Sequence, residues 1–193
     1  VYHYQLATKQ AKLEALQNQI NPHFLHNTLE IIRMKALINR DKEVAVMVQT
    51  LARLFRITLD LSSNIVHVKD ELEHVETYLA IQNMRFDNRY RFTNLVPEEF
   101  LDCSILKLTL QPLVENAIKH GFSRTFGDEE IQVRAQADKD DLVIQVADNG
   151  VGITPDNLER IHRKLEHADE AGRGNGHNSI GIVNISDRIR LEY

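Results

Sequence analysis

The chain has 193 residues, with 23 Lys+Arg against 28 Asp+Glu, a net charge of -5, 26% charged residues and 42% hydrophobic ones. This is the composition of a soluble globular chain of one ordinary domain or two small ones, and its acidic balance argues against a general nucleic-acid binder. One cysteine, Cys103, excludes an internal disulfide and fits a reducing compartment, and no apolar run approaches the roughly 18 residues of a membrane helix. No signal peptide is visible, and both ends read as cut from something longer. All 8 glycines lie at or beyond Gly121. A glycine-free first part is stiff and unlike a many-turned β domain. The remainder carries every position of unusual backbone or close approach.

From about Leu6 to Ile38 the chain reads as one long helix. Leu13, Leu16 and Ile20 recur at spacings of three and four, and Leu6, Leu13 and Ile20 stand seven apart as in a coiled-coil lead-in. Pro22 interrupts the pattern, at a cost of ~3 kcal/mol inside a helix. Beyond it, Phe24, Ile31, Met34 and Ile38 continue the apolar stripe. Asn39-Arg40-Asp41 marks a turn, and Val44, Val48, Leu51, Phe55 and Thr58 define a second helix. A two-helix hairpin cannot cover its own apolar stripe, so a second copy completing a four-helix bundle is expected. Ser62-Ser63-Asn64 breaks the pattern.

Asp70 to Arg85 reads as a third helix, with Leu72, Val75 and Leu79 on one face. Tyr90 to Val96 reads as a strand ended by Pro97, and Ile105 to His120 as a fourth helix. Ile131, Val133, Ala135 and Ala137 alternate with polar residues, as does the run Leu142, Ile144 and Val146, so both are half-buried strands. Asp156 to His167 is helical, and Ala168 to Asn178 is a loop with three glycines. Ser179 is a good N-cap for a last helix carrying Ile182, Ile185 and Ile189.

Three places carry chemistry. Strand parity puts Asp148 on the apolar face with Leu142, Ile144 and Val146, where a carboxylate needs a partner. Gly150 and Gly152 follow, so that the site suits a buried acceptor for a base amino group, or else a plain Asn-Gly turn. Glu115, Asn116, Lys119 and His120 share one helix; an amide oxygen suits Mg²⁺ and a lysine meets phosphate, or else the set is a surface salt bridge. Gly172, Gly174, Gly176 and Gly181 surround the start of the last helix, whose free N–H groups can bind phosphate beneath a closing loop, or else form a linker.

Their order and joint presence resemble a known family. "LQPLVENAIKHG", "DNGVG" and "SIGIVNISDRI" resemble the N, G1 and G2 boxes of the GHKL ATP-binding fold. Upstream, "LQNQINPHFLHNTLE" and "VKDELEHVETYLAIQNMRF" resemble sensor histidine kinases of the LytS/YesM type, with Asn-Pro-His-Phe-Leu the most specific element. The resemblance runs over nearly the whole chain. It implies an α+β protein: a dimerising helical hairpin over residues 1–64, a four-helix bundle in the dimer, and a GHKL (Bergerat) α/β sandwich over 65–193. A linker helix would lie near 68–86, and the sandwich is expected to lack its last strands.

By that resemblance His23 accepts the γ-phosphoryl group of ATP and a response-regulator aspartate then takes it. An imidazole near neutral pH is a competent nucleophile. Asn116 matches the Mg²⁺-holding asparagine, Lys119 and His120 the positions facing the phosphates, and Asp148 the adenine-reading aspartate. Gly150 and Gly152 would line the pocket, and Gly181 would end the lid. Glu115 is a candidate to orient or deprotonate His23, and Asn27, one turn on, a candidate for dephosphorylating the regulator. His3, His26, His67, His74, His162, His167 and His177 are taken as ordinary, and Gly121 and Gly127 as helix-end and turn residues.

The chain departs from the pattern in three places. Phe24 stands where many histidine kinases have an acidic residue after the histidine. Ser179 replaces the first glycine of a usual pair, and no phenylalanine-rich lid box is evident. Three rivals remain. ATP hydrolases of the gyrase, chaperone and mismatch-repair kind have a glutamate four residues before the asparagine, where this chain has Pro112. Protein-serine kinases of the anti-sigma type usually share that glutamate and lack a histidine hairpin. A catalytically silent nucleotide-binding and dimerisation module is the third. The favoured expectation is the cytoplasmic kinase core of a bacterial two-component sensor, a homodimer reaching a membrane only through a missing N-terminal part.

Overall fold

The computed structural model describes residues 22–59, 63–122, 128–166 and 180–193. The chain divides into two compact units, Val1–Asp60 and Leu61–Tyr193. The coiled-coil lead-in, Ser62, Gly127 and the loop up to Ser179 lie outside the described residues, as do His3, His167 and His177.

The first unit is a helical hairpin of α1 (Pro22–Ile38) and α2 (Lys42–Leu59). The expected interruption at Pro22 falls where the description begins. Asn39-Arg40-Asp41 makes the turn, and its chemistry is legible atom by atom. Arg40 takes a left-handed φ of 61°, which lets the Asp41 N–H reach back to the Ala36 carbonyl at 2.8 Å. That closes the end of α1 as a Schellman-type cap. The Asp41 carboxylate then accepts the Val44 N–H at 3.1 Å and so caps α2.

Leu29, Ala36 and Ala45 are buried within the hairpin. The stripe read from the sequence, Phe24, Ile31, Met34 and Ile38, is not the face that packs there: all four are exposed. Small residues at Ala36 and Ala45 let the helices approach, and the larger residues are left outside.

In the second unit the order is β1 (Ile65–His67), α3 (Val68–Arg85), β2 (Tyr90–Leu95), β3 (Ser104–Leu106), α4 (Leu110–Asn116), a π-helical turn Ala117–Gly121, β4 (Glu129–Asp138), β5 (Asp141–Asp148), α5 (Pro155–Glu166) and α6 (Ile180–Glu192). β1 and β3 form a small antiparallel pair, and β2, β4 and β5 a mixed sheet in that order. β2 runs parallel to β4, and β4 antiparallel to β5 with Ile131 opposite Asp148. Val68, Leu72, Val75 and Leu79 of α3, Leu110 and Val114 of α4, and Ile131 and Val133 of β4 are all buried. Leucine and valine at three/four spacing on the helices, and alternation on the strand, supply this core.

The fourth helix differs most from its sequence reading. Ile105 belongs to β3, paired with Val66, and the α-helix runs only over Leu110–Asn116. Leu108 adopts a left-handed φ of 58°, which stops any helix from passing through it. The end of the predicted helix, Ala117–Gly121, is π-helical. The Phe122 N–H reaches the Ala117 carbonyl, five residues back, at 3.2 Å. Such single π turns concentrate at functional sites.

Candidate functional site

A cleft of about 510 Å³ opens between α4, the end of β5, α5 and the start of α6. Its size is that of a small-molecule site. Asn116, His120, Asp148, Gly152 and Gly181 all reach it, together with apolar walls from Leu113, Val146, Ile153, Ile161 and Ile182.

The floor is built by backbone approach. The Val151 N–H donates to the Gly121 carbonyl at 2.9 Å, and the Asp148 carboxylate accepts the Gly150 N–H at 2.9 Å. A Cβ on Gly121 would stand 2.8 Å from the Asp148 carboxylate, and one on Gly150 would collide with the Gly121 carbonyl. Gly121 is therefore a site residue and not the plain helix end read from the sequence. Gly152 has φ +72°, a conformation that glycine adopts freely. A Cβ on Gly181 would meet the Asn116 amide at 3.4 Å, so the start of α6 lies directly against the N-box asparagine.

Asp148 differs from its sequence reading in one respect. It ends the strand on the same face as Val146 but is exposed to the cleft, not buried. Asn149, read as half of a turn, instead prolongs the sheet: its Nδ2 donates to the Asp128 carbonyl at 2.8 Å and its Oδ1 accepts the Glu130 N–H at 2.8 Å. Those bonds hold β5 in register with β4 at the point where Asp148 enters the cleft.

Glu115 and Lys119 are paired with each other at 3.1 Å, and Glu115 also accepts from Gln111 at 2.9 Å. Among the described residues, His120 faces the cleft while Lys119 is not part of its wall. Ser179 lies outside the described residues. His23 is exposed on α1, and the Asn27 amide nitrogen stands 3.3 Å from its ring Nε2, so the two residues share one helical face.

Two buried carboxylates were missed in the sequence. Glu71 of α3 is 1% exposed and takes the N–H groups of Leu108, Thr109 and Leu110 at 2.7–2.9 Å. Glu129 is equally buried and pairs with Arg89, whose guanidinium also donates to the Phe122 carbonyl at 3.0 Å. The first grips the start of the N-box helix and the second grips its end. His74, taken as ordinary, is wholly buried. Burial and then the Lys107 ammonium hold its imidazole below the usual value, against Glu115. Tyr78 is pushed up to about 12 by burial and by Glu115. A carboxylate in an apolar-looking helix repeat gives no periodic signal, which is why pattern reading passes over it.

The model of histidine kinase-, DNA gyrase B- and HSP90-like ATPases matches residues 102–191. The histidine kinase model matches residues 11–90. Sensor histidine kinase YesM of Bacillus subtilis is 39% identical over 98% of this chain and 30% of its own length. Sensor protein LytS of Oceanobacillus iheyensis is 35% identical over 94% of this chain and 30% of its own. Sensor histidine kinase BtsS of Escherichia coli is 40% identical over 72% and 25%. The chain belongs to the sensor histidine kinases of the LytS/YesM type. It spans less than a third of the length of these relatives, and no described helix is long and apolar enough to cross a membrane.

Proposed function

We propose that this chain is an ATP-dependent protein histidine kinase core. Residues 1–64 form the dimerising hairpin that presents His23, residues 65–193 bind ATP with Mg²⁺, and α3 links the two. The observation that carries the reading is the convergence of Asn116, Asp148, Gly121 and Gly181 on one cleft. The residues fit the groups they would hold. The Asp148 carboxylate is an acceptor for an adenine amino group. The Asn116 amide oxygen is a hard donor of the kind Mg²⁺ takes, alongside phosphate oxygens. Mg²⁺ there would offset charge on the transferring phosphoryl group. The glycine floor leaves the ring room to lie on backbone, and the α6 start directs N–H groups toward phosphate.

The His23 imidazole would attack the γ-phosphorus, forming an N–P bond as the bond to the ADP oxygen breaks. The phosphoryl group would then pass to an aspartate of a response regulator. Pro112 stands where related hydrolases carry a water-activating glutamate, and so supports transfer to a side chain over transfer to water.

The test is incubation of the chain with γ-labelled ATP and Mg²⁺. Acid-labile, base-stable label is expected, and His23→Gln is expected to reduce it to background. Label that persists in His23→Gln rules out this acceptor. Absence of label in a chain whose ATP binding is lost with Asp148→Asn would show a silent nucleotide-binding module instead.

A further inference from the structure

The backbone corner that precedes α4 lies outside the cleft, and five directed bonds to side chains of other helices end on it. Leu108 there holds a left-handed φ of 58°, which a branched side chain rarely takes. The corner is gripped from two sides. From α3, the buried Glu71 carboxylate accepts the N–H groups of Leu108, Thr109 and Leu110 at 2.7, 2.9 and 2.9 Å. From α6, the Arg188 guanidinium donates to the Lys107 carbonyl at 2.6 Å and the Leu108 carbonyl at 3.2 Å. At their other ends α4 and α6 meet again, with Gly181 against Asn116.

We propose that Glu71 and Arg188 are positioning residues for the nucleotide reaction, which together fix the helix carrying Asn116 against the helix that opens at Gly181. The inference rests on the reading of the cleft as an Mg²⁺–ATP site. α4 has 7 residues, about 10 Å of helix. A helix that short is placed by its anchors and not by its own cooperativity. Its first N–H groups have no intrahelical acceptor and would take any available one. Glu71 gives them one fixed point, and five directional hydrogen bonds hold the corner where apolar contacts could slide. Arg188 ties the same corner to α6, so Asn116 and Gly181, which lie against each other, keep one spacing. A shift of α3 would be passed to Asn116 through this joint.

The test uses the whole 193-residue chain and titrates a fluorescent ATP analogue with and without Mg²⁺, below the thermal transition of each variant. In Glu71→Gln one carboxylate oxygen becomes a donor that cannot accept. Arg188→Gln removes the fork at an exposed position. Either change is expected to reduce the Mg²⁺-dependent gain in affinity about 10-fold and to leave Mg²⁺-free affinity within about two-fold, as for other residues that support a metal ligand. Arg188→Lys should restore part of the gain, and the double variant should fall short of the sum because both residues hold one corner. Variants that keep the wild-type gain, or that lose affinity equally with and without Mg²⁺, overturn the proposal. If Glu71→Gln does not fold, Arg188→Gln decides alone. A wild-type chain that binds no ATP overturns the nucleotide reading itself, and one that binds ATP without any Mg²⁺ gain overturns the role of Asn116 and this proposal with it.

Discussion

The two units dispose of their apolar side chains in opposite ways. Phe24, Ile31 and Ile38 of the hairpin stand seven residues apart and are 69%, 60% and 75% exposed. In the second unit the residues of the same kind, Leu72, Val75, Leu110 and Ile131, are closed over by helices and sheet. A pair of helices has one shared face, and every other apolar row needs a partner from outside; a sheet with helices on it encloses its own core. The heptad row of exposed residues is the kind of seam that a second copy covers. The exposed row fits the proposed completion of the hairpin by a second copy, whereas the second unit encloses its own core.

That contrast can be broken most severely at the seam. Ile31→Glu is expected to turn a dimer into monomers, with a loss on the order of 3–6 kcal/mol for the two copies at the usual value of a buried isoleucine. Sedimentation velocity reads it, and an unchanged dimer would remove the seam from α1. The second unit should remain folded in that variant, which its nucleotide titration reports.

Gly150→Ala is next. Its Cβ would meet the Gly121 carbonyl, backbone that cannot swing aside, so a loss of about 1–3 kcal/mol in urea unfolding is expected, together with weaker nucleotide binding. Gly121→Ala should instead spare stability more than affinity, because the obstructed atom, 2.8 Å away, belongs to the Asp148 side chain. Equal effects of the two substitutions on affinity and stability would contradict this division.

The smallest effect is electrostatic. His74 is held below its usual value of 6.5 by burial and by Lys107, against Glu115. The folded chain therefore takes up this proton at lower pH than the unfolded chain does. The stability this contributes is therefore complete above about pH 6.5 and is lost as pH falls below it, at most ~1.4 kcal/mol per pH unit. His74→Gln should flatten the urea midpoint between about pH 5 and 7. A slope unchanged by the substitution would assign the pH dependence to other histidines.

Much of the site was legible because its residues are local in sequence. Asn116 and His120 fall on consecutive turns, and Asp148 and Gly150 are two apart, so motif spacing alone predicts that each set shares a surface. Strand parity placed Asp148 beside Val146. The hairpin and its turn were equally legible, since Asp41 and Arg40 act within five residues of their partners. What pattern reading missed lies far apart in sequence. Glu71 acts on residues near 108, Arg89 on Glu129, and Gly121 on Val151, and no periodicity encodes those pairings. The break in the predicted helix at Ile105–Thr109 has the same origin, because Val66 draws Ile105 into a strand.

The sequence by itself determined the two hairpin helices and their turn at Asn39-Arg40-Asp41, the three strands of the mixed sheet, and which residue types could meet a nucleotide, because these follow from hydrophobic period, capping chemistry and backbone sterics within a few residues. The tertiary structure decided which face of α1 is buried, where α4 begins, and that Gly121 and Gly150 must both lack side chains. Each of those depends on what a distant segment brings to within van der Waals contact. Close packing enforces such meetings, and no stretch of sequence contains them alone.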